Sequence, residues 1–459
     1  MIRIENLIGG DFVSPSEFFD DISPLDGTVI AKIPRTKDAE DAVAAAEKAQ
    51  SQWSGLSLLQ RCDWLDKIAD SLESQIDELA RLESLDTGKP HHVALNVDAE
   101  RSVNNFRFFA QFGRKMESET FKMPDATNYV MRKPIGIVGL ISPWNLPLYL
   151  LSWKVAPALL MGNTIIAKPS EITPITAHFL GKVCTDIGLP DGVLNIVHGY
   201  GPEIGQAIVE HPKIRAISFT GGTATGKVVA ATAAPMFKKL SLELGGKNAS
   251  IIMEDADLDI AVPGVLRASF LNSGQICLCG SRVLIHSSIY DEFISRYLEQ
   301  LQSFEIGPVI SDSHRDKVMS YVELAKEEGG NILAGGNIPD KPGSWIEPTV
   351  IGGLSHKSRT ATEEIFGPVV TIHQFDSDDE AVQMANSTQY GLAGSVWSKN
   401  KGRAIAEKID SGMVWVNTWL HRDLRVPFGG VKDSGVGREG GMWSIGFFSE
   451  AVNICVMED

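Results

Sequence analysis

The segment NSGQICLCGSR (residues 272–282) places two of the chain's five cysteines one residue apart between glycines. A cysteine attacks only as its thiolate, which a helix N-terminus or neighbouring positive charge favours and apolar burial opposes. Cys277 and Cys279 therefore allow three readings: a nucleophile beside a bystander, a redox or metal pair, or two small apolar side chains at a buried turn. The sequence has no second C-x-x-C and no spaced histidine pair, and a C-x-C pair supplies only two of the usual four ligands, so no metal is expected. A nucleophile needs a base and a place for the oxyanion. LELGGK (residues 242–247) offers Glu243 at a strand-to-turn boundary, where a carboxylate can point into a cleft, although a lone glutamate is more often a surface charge. ISPWNLP (residues 141–147) holds Asn145 between two prolines that fix the backbone on either side. A rigid amide suits an oxyanion hole, although on its own the residue reads more readily as an Asx-turn cap.

Further motifs suggest a dinucleotide site. AKPSE (residues 167–171) ends a strand with Lys168, Ser170 and Glu171, groups able to bond ribose hydroxyls at the carboxyl edge of a parallel sheet. FTGGTATGK (residues 219–227) is a glycine-rich strand-to-helix turn whose helix N-terminus can accept a diphosphate, though it lacks the spacing G-x-G-x-x-G. EEIFGP (residues 363–368) and PFGG (residues 427–430) read as loops able to close over a pocket, or as ordinary turns.

Such residues need a scaffold to converge. From residue 136 strands and helices alternate through IGIVGLIS, TIIAK, VLNIVHG and AISFTGG, and a second alternation runs from ASIIMED through RVLIHS, TVIGGL and VVTIHQF. This is the pattern of two α/β units with parallel sheets. Upstream, apolar spacing predicts two amphipathic helices between residues 38 and 85 and a third over 97–112. TFKMPDATNYVMR (residues 120–132) reads as a hairpin and the final EAVNICVME as an edge strand, both suited to pairing between subunits.

Composition narrows the function. The chain of 459 residues carries a net charge of −16 and is 43% hydrophobic, which fits a globular α/β protein and argues against a nucleic-acid partner. An odd, scattered set of cysteines fits a reducing compartment. The N-terminal MIRIENLIGGDF does not read as a signal peptide, and no apolar stretch suffices for a membrane span; a cytoplasmic location is expected.

The motifs PWN, KPSE, FTG, LELGGK, GQICLCGSR, EEIFGP and PFGG, in this order, resemble the aldehyde dehydrogenase superfamily. The resemblance implies Cys277 as nucleophile, Glu243 as base for thioester hydrolysis, Asn145 as oxyanion donor and Cys279 as a nonessential neighbour. It implies NAD held by Ile141, Ser142, Trp144, Lys168, Ser170, Glu171, Gly201, Gly205, Phe219, Thr220, Gly221, Gly222, Gly226, Leu244, Glu364 and Phe366. The implied architecture is a Rossmann-type NAD-binding domain over 1–116 and 136–245, a catalytic domain over 246–440, and a small β oligomerisation element from 117–135 and 441–459, in a homodimer or homotetramer. ISPWNLPLYLLSWKVAPA, RSVNNFRFFA and WLHRDLRVPFGG most resemble dehydrogenases of 2-aminomuconic and 2-hydroxymuconic 6-semialdehydes. That implies a carboxylated aldehyde gripped by Arg101 and Arg422, residues that otherwise read as a solvent-facing helix position and a partner for Asp423. Two departures stand out: Gly222 replaces the serine common in the family, leaving diphosphate contacts to backbone N–H groups, and the stretch SFEIGPVISDSH implies a trimmed surface loop. The alternatives are a general or other carboxylate-bearing aldehyde dehydrogenase, a CoA-acylating enzyme and a non-catalytic relative; Glu243 argues for hydrolysis over CoA acylation, and Cys277, Glu243 and Asn145 together argue against a non-catalytic protein.

Overall fold

A computed structural model describes residues 1–458. Its largest sheet has eight strands, and five of them are parallel in the order Lys239–Glu243, Ile214–Thr220, Ile137–Ile141, Thr164–Lys168, Leu194–Ile196. Ile137–Ile141, Thr164–Lys168 and Leu194–Ile196 are buried at every position. That is why they read as continuous apolar runs rather than alternating ones. The chain starts in the middle, winds outward through 164–168 and 194–196, then returns to the other side at 214–220. The strand order therefore reverses between 137–141 and 214–220, and in such sheets ligands bind outside the carboxyl ends at that reversal. Ser142 and Gly221 sit there.

A second sheet of seven strands is parallel except for its edge strand Asn331–Ala334 and includes Ala249–Ile252 beside Arg282–His286. The third is antiparallel: Glu119–Lys122 and Ala126–Pro134 form the expected hairpin, and Ser449–Met457 pairs along the whole of Ala126–Pro134 as its outer strand.

Several expectations need correction. The long amphipathic pattern before residue 85 is two helices, Leu58–Glu73 and Ile76–Thr87, because the chain breaks at Ser74 and Gln75; with Glu40–Ser54 this makes three helices where two were expected. The helix expected over 97–112 extends from His91 to Arg114 through a π-helical stretch, Ala94–Ala99. The strand Gly435–Val436 belongs to the first sheet, antiparallel to Lys239–Glu243, so the segment expected in the second unit crosses back. Ile445 and Phe448, expected with the β element, lie in the apolar core around Phe109 and Trp153. The shortened connection near Gly307 is not purely a surface loop, since Gly307, Pro308, Val309 and Ile310 are buried.

Candidate active site

The loop carrying the two cysteines is bent by three consecutive residues with left-handed backbone, Asn272, Ser273 and Gly274. Such conformations cost energy at non-glycine positions and persist only where surroundings hold them. Here the Asn272 amide donates to the Asn145 carbonyl at 3.0 Å, and Ser273 Oγ donates to the Gly307 carbonyl at 2.7 Å. A side chain at Gly274 would meet the Gly367 carbonyl at 2.1 Å, so only glycine fits. The shortened connection thus acts as a buttress for this loop: Ile310 N–H also donates to Gln275 Oε1 at 2.9 Å. Beyond the bend, Cys277 is only partly buried and lines a cavity of about 230 Å³. Cys279 is buried in apolar packing, and burial pushes its thiol up to about 12.

Asn145 faces the same cavity. Its amide nitrogen donates to the Gln275 carbonyl at 2.9 Å, which ties it to the loop of Cys277 and leaves a second N–H. Its own carbonyl is held by Asn272 and by Lys89 Nζ, 3.1 Å away. Lys89 is paired with buried Asp98 at 2.8 Å. The Lys89–Asp98 support was not legible in the sequence, because nothing local links residue 89 to residue 145.

Glu243 ends its strand as expected and is almost wholly buried, with neither carboxylate oxygen hydrogen-bonded. Burial, and then the charge of Glu439, raise its pKa well above the ordinary carboxyl value, while Lys154 and Arg438 oppose the rise. The Cys277 thiol is likewise pushed up, first by burial and then by Glu243 and Glu364, and Arg422 draws it down. The loop does not sit at the start of a regular helix, so no helix terminus offsets that rise. Behind Glu243, Lys154 Nζ bonds Glu439 at 2.8 Å and Ser218 Oγ at 2.9 Å. These three buried groups come from distant parts of the chain, and no motif marks them.

The cavity is also lined by Trp144, Thr220, Gly221, Gly222, Leu244, Glu364 and Phe366, together with His314, Lys317 and Gly245, which the sequence reading missed. Glu364 accepts the Gly246 N–H at 2.8 Å. His314 bonds the Phe366 carbonyl at 2.7 Å, packs on Trp144 and Phe366, and is kept neutral by burial, its pKa lowered to about 4. The remaining dinucleotide candidates lie outside this cavity. Lys168 is buried and paired with Glu171, whose other oxygen accepts the Gly201 N–H at 3.4 Å. Burial alone would raise the Glu171 pKa, but Lys168 holds it below the ordinary value. Ser170 Oγ accepts the Ile172 N–H at 3.4 Å. Ile141 and Phe219 are core residues, and Gly226 packs against Leu244, where a Cβ would come within 2.4 Å of Cδ2. These three therefore shape the site from behind.

A dinucleotide fits this arrangement. Ser142 Oγ is buried without a partner at the reversal of strand order. Gly205 and Gly222 face open space, and Gly222 caps the 11-residue helix Thr223–Ala233, whose first N–H groups can meet a diphosphate.

Arg101 and Arg422 converge on one ring. Their guanidinium carbons lie 5.6 and 5.9 Å from the Tyr149 ring centroid, and Arg422 donates to the Tyr149 hydroxyl. Arg422 also lies over Trp153 and Phe428, at 4.7 and 4.2 Å. Asp423 pairs with Arg425 instead, so Arg422 is left without a carboxylate.

The sequence matches the profile described as "Aldehyde dehydrogenase family" over residues 12–454. The chain belongs to the aldehyde dehydrogenase family. This aldehyde dehydrogenase is 45% identical to the 2-aminomuconic 6-semialdehyde dehydrogenase of a Pseudomonas species, over 100% of this chain and 99% of that one. It is 44% identical to the 2-hydroxymuconic semialdehyde dehydrogenase of Pseudomonas sp. strain CF600, covering 99% and 100%. Its fold superimposes on the NAD+ complex of a Bacillus cereus aldehyde dehydrogenase with a TM-score of 0.97, at 37% identity, covering 100% of this chain and 97% of that one. The α/β fold and the aldehyde-oxidising class expected from the motifs are thereby borne out. No helix among the described residues is long and apolar enough to cross a membrane.

Proposed function

We propose that this aldehyde dehydrogenase oxidises a carboxylated aldehyde, 2-aminomuconic or 2-hydroxymuconic 6-semialdehyde, to the acid with NAD. The observation that supports this reading best is the pair Arg101 and Arg422 on Tyr149, with the charge of Arg422 acting on Cys277, in a chain of net charge −16. Bidentate guanidinium–carboxylate bonds are the strong kind, and an acidic protein needs them to hold an anion.

Cys277 attacks the aldehyde carbon, and the developing alkoxide is held by the free N–H of Asn145 and the Cys277 backbone N–H. A donor of this kind is worth about 2.7–4 kcal/mol. When bound, NAD supplies the hydride acceptor for the cysteine-linked adduct. Glu243 takes the proton of the water that releases the acid. Lys168 and Glu171 hold the adenosine ribose, the helix from Thr223 holds the diphosphate through backbone N–H groups, and Glu364 and Phe366 place the nicotinamide ribose and ring. The carboxylate of Glu171, kept ionised by Lys168, repels a 2′-phosphate and favours NAD over NADP. The three-stranded sheet exposes Phe121, Tyr129, Met131, Ile454 and Val456, a surface suited to a homodimer or homotetramer.

Two measurements test the reading. In wild-type enzyme, kcat/KM for a muconic semialdehyde exceeds that for hexanal, and Arg101→Ala raises KM for the semialdehyde at least about tenfold, as expected for a lost bond to a charged group, with little change for hexanal. Equal losses on both aldehydes would remove the arginine role, and a wild-type preference for hexanal would leave a general aldehyde dehydrogenase. The cofactor site is tested by Gly226→Ala. The added methyl drives Leu244 toward the cavity it lines, at about 1–3 kcal/mol for overpacking. A weaker Kd for NAD by calorimetry, together with a lower Tm, is expected; no change in either would refute the placement.

A further inference from the structure

A third arginine, Arg267, lies near enough to the two around Tyr149 to feel the charge of Arg101. Arg422 is innermost, since its charge reaches both Cys277 and Glu243. Tyr149 joins it to Arg101. The third is Arg267, on the last turn of the helix Leu258–Phe270, which runs directly into the loop of Cys277. Its guanidinium lies 5.5 Å from the Trp419 ring centroid and donates to the Trp419 carbonyl at 3.4 Å. Trp419 in turn donates its indole N–H to the Leu278 carbonyl at 3.0 Å, next to the nucleophile. One buried side chain therefore fixes Arg267 relative to Cys277.

Arg267 is exposed at residue level, yet burial of its guanidinium and then the charge of Arg101 both work against its protonated form. Neither Arg267, Arg101 nor Arg422 forms an ion pair among the described residues, although acidic residues outnumber basic ones by 58 to 42. Two neighbouring cations repel, and an anionic ligand relieves that repulsion. A cation on a helix's last turn can also simply complement the helix dipole, but Arg267 is stacked on Trp419 rather than turned to the terminal carbonyls. Resting on the carboxylated-aldehyde reading above, we infer that Arg267 is a specificity-determining residue that captures the substrate's carboxylate at the mouth of the site before Arg101 and Arg422 seat it.

Capture by an outer charge acts on association and fades as salt screens it, without entering the chemical step. The test is steady-state kinetics of wild type, Arg267→Gln and Arg267→Lys on 2-hydroxymuconic semialdehyde and hexanal over a range of ionic strength. In Arg267→Gln the semialdehyde-to-hexanal ratio of kcat/KM falls about tenfold, the order of effect that steering charges exert. The loss lies in KM rather than kcat, and the salt dependence for the semialdehyde becomes shallower. Arg267→Lys, which keeps the charge, recovers most of the loss. An unchanged ratio overturns the inference. So does a parallel loss on both aldehydes with a lowered Tm, which identifies a helix-end structural role. A wild-type preference for hexanal is a separate result, read without any variant, and removes the carboxylated-aldehyde reading together with this inference.

Discussion

Cys277→Ala lowers turnover by at least about 10⁴-fold, as loss of a covalent nucleophile does, while the Kd for NAD stays within about twofold of wild type. The expectation follows from where the sulfur sits. Cys277 lines the cavity together with Asn145, Glu364 and Phe366, and its loop is held by Asn145, Asn272 and Gly307 through backbone and side-chain groups that the substitution leaves in place. Removing one sulfur from a partly exposed position therefore deletes the nucleophile without collapsing its support. The neighbouring cysteine provides the contrast. Cys279 sits in the apolar core, its sulfur 3.9 Å from the Leu271 carbonyl, so Cys279→Ala leaves a small cavity costing about 1 kcal/mol and keeps activity within a few-fold. NADH formation and calorimetric titration with NAD on both variants decide the matter. Turnover surviving in Cys277→Ala, or lost in Cys279→Ala, would reverse the assignment.

What the sequence discloses and what it hides follow from how each contact is made. Three of the parallel strands of the first sheet, Ile137–Ile141, Thr164–Lys168 and Leu194–Ile196, are legible because burial on both faces makes each a nearly continuous apolar run. Cys277, Glu243 and Asn145 are legible because each stands in a local context of glycine or proline that only a special backbone requires. Lys89, Lys154, Glu439 and His314 are ordinary in their local contexts, and their roles depend on contacts such as Lys154 to Glu439, 285 positions apart. Arg267 is hidden for the same reason: its partner Trp419 lies 152 positions away. The division at Ser74 and Gln75 is hidden differently, since apolar spacing continues through the break and only the backbone reveals it. Gly222 removes the hydroxyl of the common motif, while backbone N–H groups remain at the start of the helix it caps.

Glu243→Gln lowers kcat by about 10²–10⁴-fold, the range that a positioned general base contributes. The charge of Glu243 opposes ionisation of the Cys277 thiol, whereas Glu243 itself is raised by burial and then by Glu439. In wild type, Glu243 must be deprotonated to act, and its pKa is raised. Activity is accordingly present above that raised value and lost as pH falls through it, giving an acid limb that the glutamine variant lacks. Stability runs in the opposite sense. A carboxyl whose folded pKa is raised stabilises the fold below its unfolded pKa and ceases to do so as pH rises through the folded value. Removing that ionisation leaves Glu243→Gln with a Tm at or above that of wild type at neutral and alkaline pH. The two readouts together separate a lost base from a damaged fold: a kcat within tenfold of wild type, or an acid limb that persists in the variant, would exclude Glu243 as the base.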